Sequence, residues 1–217
     1  NYGWKIDQAK ETAALVSLIK NGEQTSREPE YSQKAASHSG NDYGNTYVEI
    51  NLTAQHLYFY ANGKLLVESD FVSGNAAKGW STPAGAYSIT YKQRNATLKG
   101  QGYATPVSYW MPFNGGIGLH DANWRKTFGG TIYKNGGSHG CVNLPPAVAK
   151  TIYENISAGD PVLCYHLDGT ESSKTSGTKK DGTAATNGMP TTAAPENDGS
   201  TGDHGTPETT AAGPSVP

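Results

Sequence analysis

The run Ser138-His139-Gly140-Cys141-Val142-Asn143 sets a cysteine two residues after a histidine, and a second histidine, His120, lies upstream in Gly116-Ile117-Gly118-Leu119-His120-Asp121. Cys141 and Cys164 are the only cysteines in 217 residues. A thiol has a pKa of about 8.5, so at neutral pH an adjacent imidazole must raise the thiolate fraction or take the proton as sulfur attacks. The chemistry open to such a pair is acyl transfer through a thioester. Gly140 has no side chain, which lets a substrate carbonyl approach the backbone and permits a turn that aims N–H groups at a developing oxyanion. The bland alternative is that Cys141 is a small core residue and the histidines are structural. Side chains at i and i+2 share a face in extended backbone, so spacing alone favours His139 as the base, whereas His120 needs the fold to bring it close. A zinc site is disfavoured, because neither Cys-x-x-Cys nor His-x-x-x-His ligand spacing is present.

Three ordered blocks carry a resemblance. Thr82-Pro83-Ala84-Gly85-Ala86-Tyr87, then the block ending in His120-Asp121, then Ser138 to Asn143 resemble the successive motifs of the L,D-transpeptidase catalytic domain, also called the YkuD domain. The likeness covers residues 43–167, and the 17 residues between His120 and Ser138 stand at the long end of the family's spacing. It implies that Cys141 is the nucleophile and that His120 is the base, oriented through its second nitrogen by the main-chain carbonyl of Asp121. His139 then shapes the pocket and donates to the oxyanion site with the amides of Gly140 and Cys141. Whether the Asp121 carboxylate is a third catalytic member stays open. Ser138 and Asn143 brace the loop beside the substrate, and Tyr109, Trp110 and Met111 either line an apolar wall of the acyl pocket or pack in the core.

The reaction implied is two-step. The cysteine expels the terminal D-alanine from a tetrapeptide stem of peptidoglycan, and the amine of an acceptor stem resolves the thioester into a 3→3 cross-link. If water resolves it instead, the same site is an L,D-carboxypeptidase. A reading from another class, a noncatalytic wall-binding module with a structural Cys141, also remains. No cofactor or metal is implied, and the family resemblance implies acylation of Cys141 by carbapenems. A wall substrate implies an extracytoplasmic place at the bacterial surface, with any membrane attachment supplied by segments outside this chain.

Composition sets the outer limits. The net charge of −2 and pI near 6.3 give no attraction to nucleic acid, and the longest basic cluster is Lys179-Lys180. Two cysteines make no disulfide framework, so both thiols are expected to be free. No apolar stretch reaches the length of a membrane span, and the chain, starting at Asn1 without a signal sequence, reads as an excised fragment.

The elements that must position the site follow from periodicity. Residues 1–42 read as a helix and linker, a remnant of a preceding peptidoglycan-binding-like domain or a solvated helix capping the core. Asp7 is the expected N-cap of a helix over residues 8–20, and Gly22 its stop signal. From Thr46 the period changes to two. Strands are expected around residues 47–52, 55–60, 64–67, 69–73, 87–91, 108–113, 116–120 and 161–166, with Asn62-Gly63 as a hairpin turn. Pro145 to Ile156 reads as a helix with Val148, Ile152 and Ile156 on one stripe, so that Cys141 lies just upstream of a helix N-terminus. The class predicted for residues 43–167 is mainly β, a sandwich- or barrel-like domain of mixed sheets with one helix after the cysteine motif. Residues 168–217, rich in Thr, Gly, Ser, Ala and Pro, are expected to be disordered.

Overall fold

A computed structural model describes residues 2–100 and 102–171, which lie in one compact unit. The expected tail falls outside the described residues from 172 onward. Two mixed sheets enclose the main core. The first is five-stranded, in the order β5 (Lys64–Asp70), β4 (His56–Ala61), β3 (Tyr47–Asn51), β11 (Pro161–Tyr165) and β6 (Gly85–Ser88). The second is four-stranded, in the order β10 (Val142–Leu144), β9 (Ile117–Asp121), β8 (Tyr103–Asn114) and β7 (Gln93–Gly100). Each sheet holds one parallel pair, β11 with β3 and β10 with β9, among antiparallel neighbours.

Period-two alternation explains the first sheet. Val48 and Ile50 on β3 and Leu57 and Phe59 on β4 are fully buried, while Tyr47, Glu49, Tyr58 and Tyr60 between them point the other way and are half-buried. Burial of each such aliphatic or phenyl side chain contributes about 1.5–3 kcal/mol. The turn at Asn62-Gly63 has positive φ at both residues, 52° and 76°, the twist that a two-residue hairpin needs. From the second sheet, Met111, Phe113, Leu119, Val142 and Leu144 complete the same core.

Helix α3 (Pro146–Asn155) carries its proline in the first turn and presents Ala149 and Ile152 to this core, with Ile156 following. At the N-terminus, α1 (Gln8–Asn21) begins where Asp7 caps Lys10 N–H at 3.1 Å and ends at the left-handed Gly22. The stretch read as linker is more ordered than its polar composition implied. β2 (Tyr31–Gln33) pairs antiparallel with β1 (Lys5–Ile6), and Glu11 ties the chain back by accepting from Arg27 and from Glu30 N–H. Trp4 stacked on His38 gives this small sheet an aromatic anchor. No helix among the described residues is long and apolar enough to cross a membrane.

Candidate active site

Two adjacent parallel strands build the site. In the β9–β10 register Asn143 stands opposite His120 and Val142 opposite Leu119, which sets Cys141 beside Gly118. Alternation then divides the side chains cleanly. Leu119, Val142 and Leu144 face the core, and His120, Asn143 and Cys141 face the other side. There they line a cavity of about 420 Å³ with Trp110, Trp124 and Arg125, roofed by the β7–β8 hairpin.

Sequence spacing favoured His139 as the base, but the geometry favours His120. His120 is buried, and its Nδ1 lies 2.8 Å from the Asp121 main-chain oxygen. A carbonyl only accepts, so Nδ1 carries the proton and Nε2 holds the lone pair. Burial depresses the His120 pKa, partly opposed by the bond to Asp121, and the neutral imidazole predominates at pH 7. At rest Nε2 accepts from Asn143 Nδ2 at 3.0 Å. The Asn143 amide is oriented in turn by Arg125, whose Nε donates to Oδ1 at 2.8 Å. Asp121's carboxylate plays no part in this chain. Its Oδ1 accepts two consecutive β8 amides, Ser108 and Tyr109, each at 2.8 Å, which braces the strand.

Cys141 is half-buried, with Sγ 3.6 Å from the Gly116 carbonyl oxygen. Burial pushes its thiol pKa up, and the Gly118 N–H facing the sulfur offsets part of the rise. The expected helix contribution is displaced, since the three residues of β10 stand between Cys141 and the start of α3. Cys164 is buried on β11, and burial alone pushes its thiol up to about 12, which marks it as inert.

The resting site is therefore a neutral thiol beside a neutral imidazole. Alkylation of Cys141 by iodoacetamide is expected to climb with pH through and beyond about 8.5, without levelling near neutrality. The rate followed by intact mass between pH 6 and pH 10 checks this; a plateau near pH 7 would reveal a preformed thiolate–imidazolium pair.

The loop before Cys141 is held by small polar groups. Ser138 Oγ donates to the Cys141 carbonyl at 2.6 Å and accepts from Gly140 N–H at 3.1 Å, so it braces the turn as expected but also occupies an amide foreseen as an oxyanion donor. Gly140 sits at φ 118°, a region L side chains rarely adopt, and a Cβ there would press on Ile117 at 3.1 Å. Thr82 is buried; it accepts from Gly74 N–H at 3.0 Å and donates to the Gly140 carbonyl at 2.6 Å, so the first sequence block locks the cysteine loop to its neighbour. His139 is exposed and sandwiched between Trp80, at 4.2 Å, and Tyr103, at 4.7 Å, at the cavity rim.

Of the three residues proposed for the acyl wall, the structure places one there. Trp110 lines the cavity, its ring 5.9 Å from His120. Its neighbours on β8 point to the opposite face by simple alternation: Met111 is fully buried in the core, and Tyr109 packs on Tyr153 of α3 with Arg94 over its ring. Sequence reading missed Arg125 and gave Thr82, Tyr103 and Trp124 no defined contacts. Only the alternation of β9 and β10 could have indicated which side chains Arg125 would meet.

Residues 45–164 match the family described as YkuD, the L,D-transpeptidase catalytic domain. This chain belongs to that family. Comparison with curated proteins gave no match. Among solved structures, a cysteine-to-serine mutant of an Enterococcus faecium L,D-transpeptidase is 38% identical over 76% of this chain and 66% of that one, with a TM-score of 0.67. The isolated catalytic domain of an E. faecium L,D-transpeptidase is 41% identical over 59% of this chain and 100% of that one, at 0.51. The same domain acylated by ertapenem is 42% identical over 56% and 97%, at 0.51. The chain thus spans just under two thirds of the longer enterococcal structure. The L,D-transpeptidase domain here has the mainly β, mixed-sheet architecture expected from its sequence.

Proposed function

We propose that this domain forms 3→3 cross-links in peptidoglycan by cysteine acyl transfer. The observation that carries the reading is the placement of His120, with its tautomer fixed by Asp121, on the same strand face and cavity as Cys141. As Sγ attacks the carbonyl preceding the terminal D-alanine, the thiol proton passes to Nε2, which Asn143 must release. The C–N bond then breaks, His120 returns the proton to the departing amine, and a thioester remains. An acceptor amine attacks the thioester, gives its proton to His120, and the Cys141 thiol is restored with a new amide in place. Of the two amides expected to face the oxyanion, that of Gly140 is spent on Ser138, which leaves that of Cys141 for the role. Trp110 and Trp124 line the same cavity and supply apolar walls for the acyl group. The substrate puts the protein outside the cytoplasm, and the ertapenem-acylated relative supports acylation of Cys141 by the same class of compound.

Mass spectrometry after incubation with a disaccharide tetrapeptide ending in D-alanine tests this. A cross-linked dimer lacking one alanine is the expected product. Tripeptide alone would make the domain a carboxypeptidase, and unchanged donor would overturn the reading.

A further inference from the structure

Arg125 differs from the other described arginines. Arg27 pairs with Glu11 at 3.0 Å and Arg94 with Glu154 at 3.8 Å. Arg125 faces no carboxylate among the described residues: Nε donates to the Asn143 amide oxygen at 2.8 Å, Nη2 to the Gly136 carbonyl at 3.0 Å, and both acceptors are neutral. Burial lowers its pKa, the mark of a cation partly withdrawn from water without an acid beside it. The side chain nonetheless lines the cavity that holds Cys141 and His120. A half-buried guanidinium with an unpaired edge in a reaction cavity is a ready receptor for a planar anion.

Stereochemistry states which anion. For His120 to protonate the departing amine, that nitrogen must come to Nε2, and in a terminal amino acid the free carboxylate is two bonds from it. Arg125 lies one side-chain amide beyond Nε2, linked through Asn143 by contacts of 3.0 and 2.8 Å. We propose that Arg125 binds the free C-terminal carboxylate of the acyl donor, so that the site selects a donor ending in an acid over one ending in an amide. This rests on the transfer reading above and names a recognition element within it. In the resting site the same guanidinium fixes Asn143 on His120; a donor carboxylate taking up part of that guanidinium loosens Asn143 just as Nε2 is needed.

The test measures binding apart from turnover. The 217-residue chain carrying Cys141→Ala is titrated calorimetrically with a tetrapeptide stem as the free acid and as its C-terminal carboxamide, and the titrations are repeated after adding Arg125→Gln. The acid should bind about tenfold or more tightly than the amide, in line with a charge-assisted pair. Arg125→Gln should bring the acid to the Kd of the amide while leaving the latter unchanged. Arg125→Lys, which keeps charge but not the planar fork, should fall between and covers a failure of the Gln variant to fold. Equal weakening of both ligands, which is what a residue that only orients Asn143 would give, overturns the proposal, as does any absence of acid preference, including no binding of either ligand. An Arg125-dependent preference in a domain whose wild-type form transfers nothing would overturn the transfer reading alone.

Discussion

Cys141→Ala is expected to abolish both turnover and carbapenem acylation while the fold persists. The sulfur makes weak polar contacts, with the Gly116 carbonyl at 3.6 Å and the Gly118 N–H, and borders a cavity, so its loss leaves no sealed void and costs roughly 1 kcal/mol or less. The chemical loss is of another order. Among the described residues, Ser138 Oγ is committed to the Cys141 carbonyl and Cys164, the other thiol, is buried in the opposite sheet, so neither can replace the lost sulfur. Turnover should fall by on the order of 10⁴-fold or more, as when the nucleophile of a cooperating set is removed. Intact mass after incubation with ertapenem gives the readout: one covalent adduct on the wild type and none on the variant. An adduct on the alanine variant would show that sulfur at position 141 is not the acceptor.

Gly74→Ala should be strongly damaging for so small a substitution. A Cβ on Gly74 would overlap the Trp80 carbonyl oxygen and stand 2.8 Å from Thr82 N and 2.9 Å from Gly140 Cα. All three are backbone atoms, so no side chain can swing aside, and Gly74 N–H is itself bonded to Thr82 Oγ1. Relief requires separating the segments that Thr82 holds together, one of which carries Gly140 and Cys141. Overpacking of this kind costs about 3 kcal/mol. For a domain of this size that corresponds to a fall in Tm of roughly 6–12 °C. Thermal unfolding measures the first effect, and the rate of ertapenem acylation, expected to slow, the second. A Tm within about 2 °C of wild type would mean that the three segments separate more readily than their contacts imply.

What the sequence disclosed follows what each residue does locally. Asp7 and Gly22 marked α1 nearly to the residue, because caps act through adjacent backbone. Val48, Ile50, Leu57 and Phe59 disclosed the first sheet through strict alternation, and Asn62-Gly63 its hairpin. β7 passed unread, since Gln93, Arg94, Asn95 and Lys99 leave only Ala96 and Leu98 as apolar residues and its partner is supplied by tertiary pairing with β8. β10, three residues long, is a strand only because Val72 and β9 pair with it. The site shows the same division. Cys141 and His120 stood out by motif, whereas the link from Arg125 through Asn143 to Nε2 joins residues 18 and 23 positions apart and exists only once β9 and β10 lie side by side. Tyr109, Trp110 and Met111 were grouped because they are contiguous, and a strand separates contiguous residues.

The parallel pairing of β9 with β10 also settles where the chain tolerates changes in length. A parallel pair cannot be closed by a tight turn, so the connection from Asp121 to Val142 must cross over, and α2 (Ile132–Gly136) lies in it. Residues can enter or leave that crossover while the two strands keep their register. One residue gained or lost inside Gly118-Leu119-His120 or Cys141-Val142-Asn143 would exchange the faces, sending an imidazole into the oily interior and a leucine or valine into the cavity. The length of the interval between the two histidine blocks and the strict alternation within each are thus two results of one geometry.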